Sequence, residues 1–502
     1  MLKKHYLLGS IALFFLSGCT LLHHGKTSGE EAQQNKVTDR DIAQYVLAID
    51  PDGKLNFIGC DGEDEGKTEW CEDSRGKDEE EVYKRNLTKY LDNIITELKA
   101  SEKELLIYIH GGLNTKEKAL ERVTKKFKLI LNDKEHPRYP IFVNWQSGPI
   151  TTYTDHLWQI RQGEKEENIL KKIISWPVYL FTDIGNSIVN TPKSWFVSGF
   201  HSIDSTFRPK TGADLQTEIA SHKRKKVIVK IVGEEDRPRD IFRKIHWLAT
   251  SPLKAVTTPF TYTMAKPAWD VMLRRTSTLF YTKQDLKIPG QIQYHSPLER
   301  EAGSGALYKF LNKLEEETTT DITLIGHSMG AIVVNDIVHL KPNLPYKNIV
   351  YMASADSIEN FLNKVVPHLY CSPGKEQEAI CGNKINFYSL YLHPDNENRE
   401  VSWGGTIPSG SLLTWIDGMY TTPKTVLDKR SGRWDNMTRA ITLIPEEVRE
   451  NMHFTIFGIQ ENKECTEEEG LNCTAQKHGD FGDLPFWREE VWKGEHLSAQ
   501  KK

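Results

Sequence analysis

The chain has 502 residues, enough for two or three average domains or for one large domain with an insertion. Its 65 Lys and Arg residues are nearly balanced by 69 Asp and Glu residues, which gives a net charge of -4. Such a balance lacks the basic footprint that binds phosphate backbones, so we exclude nucleic acid as a partner.

The N-terminus has the pattern of a secretory signal. Two lysines precede an apolar stretch, residues 6–16, that is too short to span a bilayer. The sequence Leu-Ser-Gly-Cys at residues 16–19 then resembles a bacterial lipobox. That resemblance implies a signal peptide at 1–18, lipid attachment (palmitate among the acyl chains) at Cys19, and, from Thr20 after it, an outer-membrane location in the cell envelope. A plain signal peptide is the alternative.

A flexible tether is predicted for residues 19–43, which are polar and lack periodicity for most of their length. About 20 such residues have a root-mean-square reach of roughly 25 Å. The membrane is thus a predicted partner through the N-terminal lipid anchor.

Strand and helix patterns alternate from residue 44 to residue 150. Runs at 45–49 and 55–58 flank turn residues and predict a hairpin, and an amphipathic helix is expected near 78–100. The continuous apolar run at 105–109 favours a buried strand, and 141–145 favours another. This alternation is typical of an α/β protein with a mostly parallel sheet flanked by helices.

The alternation stops from residue 151 to residue 285. This stretch has five of the twelve tryptophans and many prolines, and none of its apolar segments reaches the length of a membrane span. We interpret it as a large, mainly helical cap or lid insertion. Strand and helix patterns then resume over 286–495, with strands expected at 322–325, 349–352, 385–392 and 454–459.

The motif Gly-His-Ser-Met-Gly at residues 326–330 lies between a predicted strand and a predicted helix. A serine at such a strained corner is exposed as a nucleophile, and small flanking residues let the chain fold back. His110, Gly111 and Gly112 end an earlier strand. With the order of strands, these two motifs resemble the α/β-hydrolase superfamily of serine esterases and lipases.

The resemblance implies a Ser-His-Asp triad with Ser328 as nucleophile. In this family the acid and then the histidine follow the serine in sequence. His478, in a glycine-flanked loop after the last strand, is the expected base, and Asp395, after the strand 385–392, is the expected acid. Asp356 is the alternative acid. His327, inside the motif, is expected to pack beside the nucleophile.

A tetrahedral intermediate needs backbone N–H donors for its oxyanion. The residue after the nucleophile, Met329, and Gly112 are the donors that the resemblance implies.

Six cysteines remain after Cys19, in three neighbouring pairs that we expect to form disulfides: Cys60 with Cys71, Cys371 with Cys381, and Cys465 with Cys473. Closing such loops stabilises the fold by roughly 3 kcal/mol each. The pairs lack C-x-x-C spacing, no H-E-x-x-H occurs and no G-x-G-x-x-G follows a strand, so no metal and no cofactor is expected.

The leading hypothesis is an ester or lipid substrate, cleaved by a lipase-, phospholipase- or carboxylesterase-like enzyme. A non-catalytic envelope lipoprotein that uses the hydrolase scaffold for binding is one alternative, since fold does not dictate function. Another acyl chemistry, as in a peptidase, a thioesterase or an acyltransferase, is the second.

Overall fold

The computed structural model describes residues 39–60, 70–72, 77–112, 114–158, 160–161, 164–165, 169–207, 215, 217–218, 220–221, 227–233, 251–281, 303–369, 384–402, 407–408, 410–421, 423–459 and 473–495. The predicted signal peptide, Cys19 and nearly all of the tether lie outside these residues, as do Cys371, Cys381 and Cys465.

Eight strands form one sheet in the described part of the chain: β1 (Val46–Ile49), β2 (Glu104–Ile109), β3 (Arg138–Trp145), β4 (Ile228–Val232), β5 (Ile322–His327), β6 (Tyr346–Met352), β7 (Asn386–Leu392) and β8 (Met452–Phe457). Their order across the sheet is β1-β3-β2-β5-β6-β7-β8-β4, and every pairing is parallel. The central strands are buried along nearly their whole length, which explains their continuous apolar runs. The predicted α/β fold with a parallel sheet flanked by helices is confirmed.

The described helices are α1 (Asp39–Ala43), α2 (Glu79–Ser101), α3 (Lys116–Leu131), α4 (Pro149–Trp158), α5 (Ile169–Phe207), α6 (Ser251–Thr278), α7 (Ala306–Glu317), α8 (Gly330–Leu340), α9 (Ile358–Lys364), α10 (Val366–Leu369), α11 (Pro394–Arg399), α12 (Leu412–Trp415), α13 (Trp434–Ala440), α14 (Glu446–Arg449) and α15 (Glu489–Trp492). A π-helix covers Ile416–Tyr420, and 3₁₀ turns cover Ile441–Leu443 and His478–Gly482. Two short antiparallel ribbons pair Ile160–Arg161 with Glu164–Lys165 and Val401–Ser402 with Ile407–Pro408.

The start of the fold differs from the predicted hairpin. β1 pairs in parallel with β3, and only the bridge from Ile49 to Leu55 remains of the antiparallel pairing. The N–H of Asp50 donates to the Lys54 carbonyl at 2.9 Å, which closes the turn. The Cys60–Cys71 disulfide is present, as predicted, and Cys473 is also disulfide-bonded.

The insertion is less separate from the sheet than the sequence suggests. Helices α4, α5 and α6 pack on one another, as expected for a helical cap. β4, however, belongs to the same stretch and pairs with β8 at the edge of the main sheet. Its Ile-Val-Lys-Ile-Val sequence is rich in β-branched residues, which favour strands. None of the described helices is long and apolar enough to cross a membrane.

Parallel strands bring their carboxyl ends to one edge of the sheet, where side chains from separate parts of the chain can meet. β2 ends just before His110 and β5 ends at His327. β7 leads into α11, and β8 precedes the loop that contains His478. Asp356 follows β6. The candidate residues therefore come after five strands that are consecutive in the sheet, in the order β2-β5-β6-β7-β8.

Candidate active site

Ser328 lies in the tight corner between β5 and α8. Its φ is 53°, in the left-handed region that costs a non-glycine residue about 1 kcal/mol or more. Three hydrogen bonds hold the corner: the Ser328 N–H donates to the Met352 carbonyl at 2.9 Å, and the Ser328 carbonyl accepts from Ala331 at 3.1 Å and from Ala355 at 2.9 Å. The surrounding backbone thus maintains the strained conformation that the motif predicts.

The glycines around Ser328 are required by close packing. A Cβ on Gly330 would lie 2.1 Å from the Ile109 carbonyl oxygen, and a Cβ on Gly326 would lie 2.7 Å from the Ala331 nitrogen. A Cβ on Gly111 would lie 2.8 Å from the Ser328 Cβ. The end of β2 and the corner after β5 are therefore in backbone contact, which only glycine permits.

His478 contacts the serine hydroxyl. Its Nε2 lies 2.8 Å from the Ser328 Oγ, although the two residues are 150 positions apart in the chain. Burial lowers the pKa of His478 to about 4, so the imidazole is neutral at pH 7 and its Nε2 can accept the hydroxyl proton. The Asp480 carboxylate fixes this loop by accepting N–H bonds from Gln476 and Lys477, each at 2.9 Å.

The carboxylate in contact with His478 is that of Glu400, which the sequence did not single out. Its Oε2 accepts a hydrogen bond from the backbone N–H of His478 at 3.0 Å. Burial raises the pKa of Glu400 to about 8. Among the described residues, the Nδ1 of His478 is buried and has no hydrogen-bond partner. The Glu400 carboxyl group therefore contacts the backbone of His478, the residue whose Nδ1 has no hydrogen-bond partner among the described residues.

The two predicted acids have other described contacts. Asp395 is in the first turn of α11, where its backbone N–H donates to the His393 Nδ1 at 3.1 Å. Asp356 is buried, and its Oδ1 accepts from the Ser357 N–H at 2.7 Å and from the Asn360 side-chain amide at 2.8 Å. Glu400 comes only five positions after Asp395, in the segment after β7 where the resemblance expects the acid.

The two predicted oxyanion donors are neighbours. A Cβ on Gly112 would lie 2.6 Å from the Met329 Sδ. His110 holds the Gly112 loop: its Nδ1 lies 2.7 Å from the Gly111 carbonyl, and its Nε2 accepts from the Trp145 N–H at 3.2 Å. A proton on Nδ1 would suit both of these contacts, and burial lowers the pKa of His110 to about 4.

His327 lies against His478. Its Nε2 lies 3.1 Å from the His478 carbonyl oxygen, and the two ring centroids are 5.5 Å apart. Burial and the neighbouring His478 hold the pKa of His327 well below its usual range. A neutral His327 that donates from Nε2 would therefore position the backbone of His478, consistent with the expectation that it packs beside the nucleophile.

One residue of the insertion lies beside this site. Ser328 is only 2% exposed, and the Sδ of Met272, on α6, lies 3.5 Å from where a Gly112 Cβ would lie.

No protein-family model, curated protein or solved structure matches the chain. Over the described ranges, no group of three or more His, Cys, Asp or Glu side chains is arranged to hold a metal ion.

Proposed function

We propose that the chain is a serine hydrolase of the α/β-hydrolase fold that cleaves an ester. The observation that carries the proposal is the 2.8 Å contact between the Ser328 Oγ and the His478 Nε2, made at a left-handed corner between a strand and a helix. A serine hydroxyl needs such a base because it is a weak nucleophile at neutral pH. The strand order β1-β3-β2-β5-β6-β7-β8, with the nucleophile after β5, also supports this fold.

In the first half of the reaction the Ser328 oxygen attacks the ester carbonyl carbon while His478 Nε2 takes the hydroxyl proton. The carbonyl oxygen becomes an oxyanion, and we assign the backbone N–H groups of Met329 and Gly112, residues that lie side by side, to stabilise it. The carbon–oxygen bond of the ester then breaks, and the leaving alkoxide takes the proton from His478. The products are an alcohol and an acylated Ser328.

In the second half a water molecule gives a proton to His478 Nε2 and attacks the acyl carbon. The carbonyl–serine bond breaks, the proton returns to the Ser328 oxygen, and a carboxylic acid leaves. His478 carries a positive charge in both transition states. We assign Glu400 to stabilise that charge, because its carboxylate is already hydrogen-bonded to the same residue.

The proposed substrate class is an ester, including lipid esters. The predicted lipid anchor at Cys19 would keep the enzyme in the bacterial envelope, at the outer membrane, beside such substrates. The insertion, whose Met272 lies beside Gly112, would line the entry for an acyl chain.

Labelling with a fluorophosphonate probe tests the nucleophile. The wild-type protein should be labelled, and the Ser328→Ala and His478→Ala variants should not. Ser354→Ala is a matched control, since Ser354 is also buried and its hydroxyl bonds to Ser431 at 2.9 Å, away from His478. Labelling that persists in Ser328→Ala would contradict the assignment. A folded wild-type protein that is never labelled would favour the non-catalytic envelope lipoprotein.

A panel of p-nitrophenyl esters with increasing acyl length then measures the substrate preference. We expect rates to depend on chain length. Equal rates for all acyl lengths would argue against an acyl pocket beneath the insertion.

A further inference from the structure

Helix α5 has several polar side chains on its inner side and a stripe of exposed apolar side chains on its outer side. Asp183, Ser187 and Thr191 are buried against the neighbouring helices. The opposite face exposes nine large apolar side chains: Leu170, Ile173, Ile174, Val178, Phe181, Ile184, Ile188, Val189 and Phe196. We call these nine residues the α5 outer face. Most are three, four or seven positions apart, so they form one continuous stripe along the helix.

Hydrogen bonds on the inner side fix this orientation. The Asp183 Oδ2 lies 3.2 Å from the His156 Nε2 and accepts from the Tyr153 hydroxyl at 3.4 Å, both on α4. The Ser187 hydroxyl donates to the Pro259 carbonyl of α6. Turning the helix to bury its apolar stripe would remove these partners and place Asp183 in solvent. The α5 outer face is therefore presented outward by specific contacts.

An exposed apolar stripe of this size is unusual in a protein that only meets water. Single exposed apolar residues are common, but a large contiguous apolar patch marks a surface that binds another apolar surface, such as a protein or a membrane. Phe181, Phe196 and Val189 are 70%, 75% and 78% exposed. These residues lie over four turns of the helix, far more than one small pocket would need.

The charged side chains of α5 indicate which partner covers the α5 outer face. The exposed charged side chains described on α5 are Lys171 and Lys193, about six turns apart, one at each end of the central stripe. Asp183, the carboxylate within this span, is buried. Lysines that flank an apolar helical face extend their ammonium groups to lipid phosphates while their stems stay in the apolar layer. Anionic headgroups complement this pattern.

We propose that the α5 outer face lies in the interface of an anionic lipid bilayer, as a second membrane contact besides the lipid anchor. The axis of α5 would lie in the plane of the bilayer, with the apolar stripe among the acyl chains near the headgroups. The predicted tether, with a reach of roughly 25 Å, is long enough to let the folded body approach the same leaflet. This contact depends on no catalytic step of Ser328.

Photolabelling of the full chain tests the contact at the helix itself. Vesicles of phosphatidylethanolamine and phosphatidylglycerol would contain a phospholipid with a diazirine in its acyl chain. Trypsin cleaves after Lys172 and Lys193, so one peptide, residues 173–193, reports on most of the α5 outer face separately from the N-terminal anchor. We expect lipid adducts on this peptide in the wild type.

The double variant Phe181→Asp with Val189→Asp should lower the yield of these adducts about tenfold or more, because charged side chains are excluded from the acyl region. Leu443→Asp is the matched control: Leu443 is also an exposed apolar residue, 55% accessible, but is outside α5, and its substitution should leave the adducts unchanged. Thermal melting by circular dichroism would check that all three proteins are folded, and Ser328→Ala should be labelled by lipid as strongly as the wild type.

Two results would overturn the proposal. One is the absence of lipid adducts from peptide 173–193 in wild-type protein that carries adducts elsewhere. The other is a dimer, seen by sedimentation velocity without lipid, that dissociates when Phe181 and Val189 become Asp, since a second copy of the chain would then cover the face. Neither result depends on the fluorophosphonate labelling of Ser328, so the proposed function is tested separately.

Discussion

The Glu400 carboxylate accepts a hydrogen bond from the backbone N–H of His478 at 3.0 Å, on the residue whose Nε2 contacts the Ser328 hydroxyl. Its position suggests the third member of the triad. Glu400→Gln keeps the size of the side chain and an oxygen that can accept the N–H bond, but removes the negative charge. At a pH above 8, where Glu400 is ionised, we expect kcat on a p-nitrophenyl ester to fall by roughly 10³ to 10⁴, as for loss of a triad acid.

Asp395→Asn is the comparison for Glu400→Gln, because Asp395 is five positions earlier in the same segment. We expect a change of less than about tenfold in kcat, since removing a charge with no catalytic part leaves the imidazole supported. The reverse ranking, with a large loss in Asp395→Asn and a small one in Glu400→Gln, would show that Asp395 is the acid. Asp356→Asn serves as a further comparison at the alternative position.

The pH dependence of kcat/KM should report on the same carboxylate. Burial raises the pKa of Glu400 to about 8, so this group is largely protonated below that pH and stabilises the imidazolium only when ionised. The rate should therefore rise as the pH increases through about 8. In Glu400→Gln the rise of kcat/KM near pH 8 should disappear. The remaining slow reaction should lose rate only at lower pH, nearer the His478 pKa of about 4. If kcat/KM of the Gln variant still rises near pH 8, another group titrates there.

Much of the site follows from local sequence, because its chemistry depends on short motifs. The strand before Ser328, the glycines around it and the loop at Gly112 each have a local pattern, and the structure brings Ser328 and His478 together. Glu400 has no such pattern. It reaches His478 because α11 ends at Arg399 and turns the next residue toward the loop of β8, which depends on tertiary packing.

The structure of the insertion also depends on tertiary contacts that the sequence does not reveal. Its apolar residues are visible in the sequence, but their periodicity cannot say whether the apolar or the polar face of α5 is turned inward. The inward orientation of the polar face is set by contacts of Asp183 with Tyr153 and His156, which lie on helix α4. The reason is different for β4: the short segment Ile-Val-Lys-Ile-Val, which is interrupted by Lys230, does not reveal in the sequence that it joins the edge of the main sheet.

Because Gly330 is closely packed, adding one methyl group by Gly330→Ala should greatly lower the free energy of unfolding. In Gly330→Ala the new Cβ would lie 2.1 Å from the Ile109 carbonyl oxygen, a backbone atom that cannot move without shifting β2. We expect a loss of at least about 3 kcal/mol in the free energy of unfolding, as for strong overpacking in a core. Urea denaturation followed by circular dichroism measures this change.

Gly185→Ala is the matched control, because Gly185 is within helix α5 and a Cβ there would meet no atom within 4 Å. This variant should gain about 0.5 to 1 kcal/mol, since alanine loses less conformational freedom than glycine in a helix. Equal effects of the two substitutions would contradict the packing of Gly330 against β2.

Glu397 predicts a stability change with pH that can be isolated by one substitution. It is 3% exposed, and burial raises its pKa to about 7 from an ordinary value of 4.5. The folded state therefore holds this proton more tightly than the unfolded state does. The stability that Glu397 contributes is fully present below pH 4.5 and is lost as the pH rises through 7.

Glutamine at this position mimics the protonated carboxyl and does not titrate. The free energy of unfolding of Glu397→Gln, relative to wild type, should therefore increase by about 3 kcal/mol between pH 4.5 and pH 7.5. Urea unfolding at several pH values measures this difference, in which contributions of groups common to both proteins, such as the buried histidines, cancel. Glu447→Gln, at an exposed position, is the matched control for the loss of one carboxyl group. A flat difference for Glu397→Gln would mean that the carboxyl is ionised in the folded state, with Arg433 rather than a proton balancing its charge.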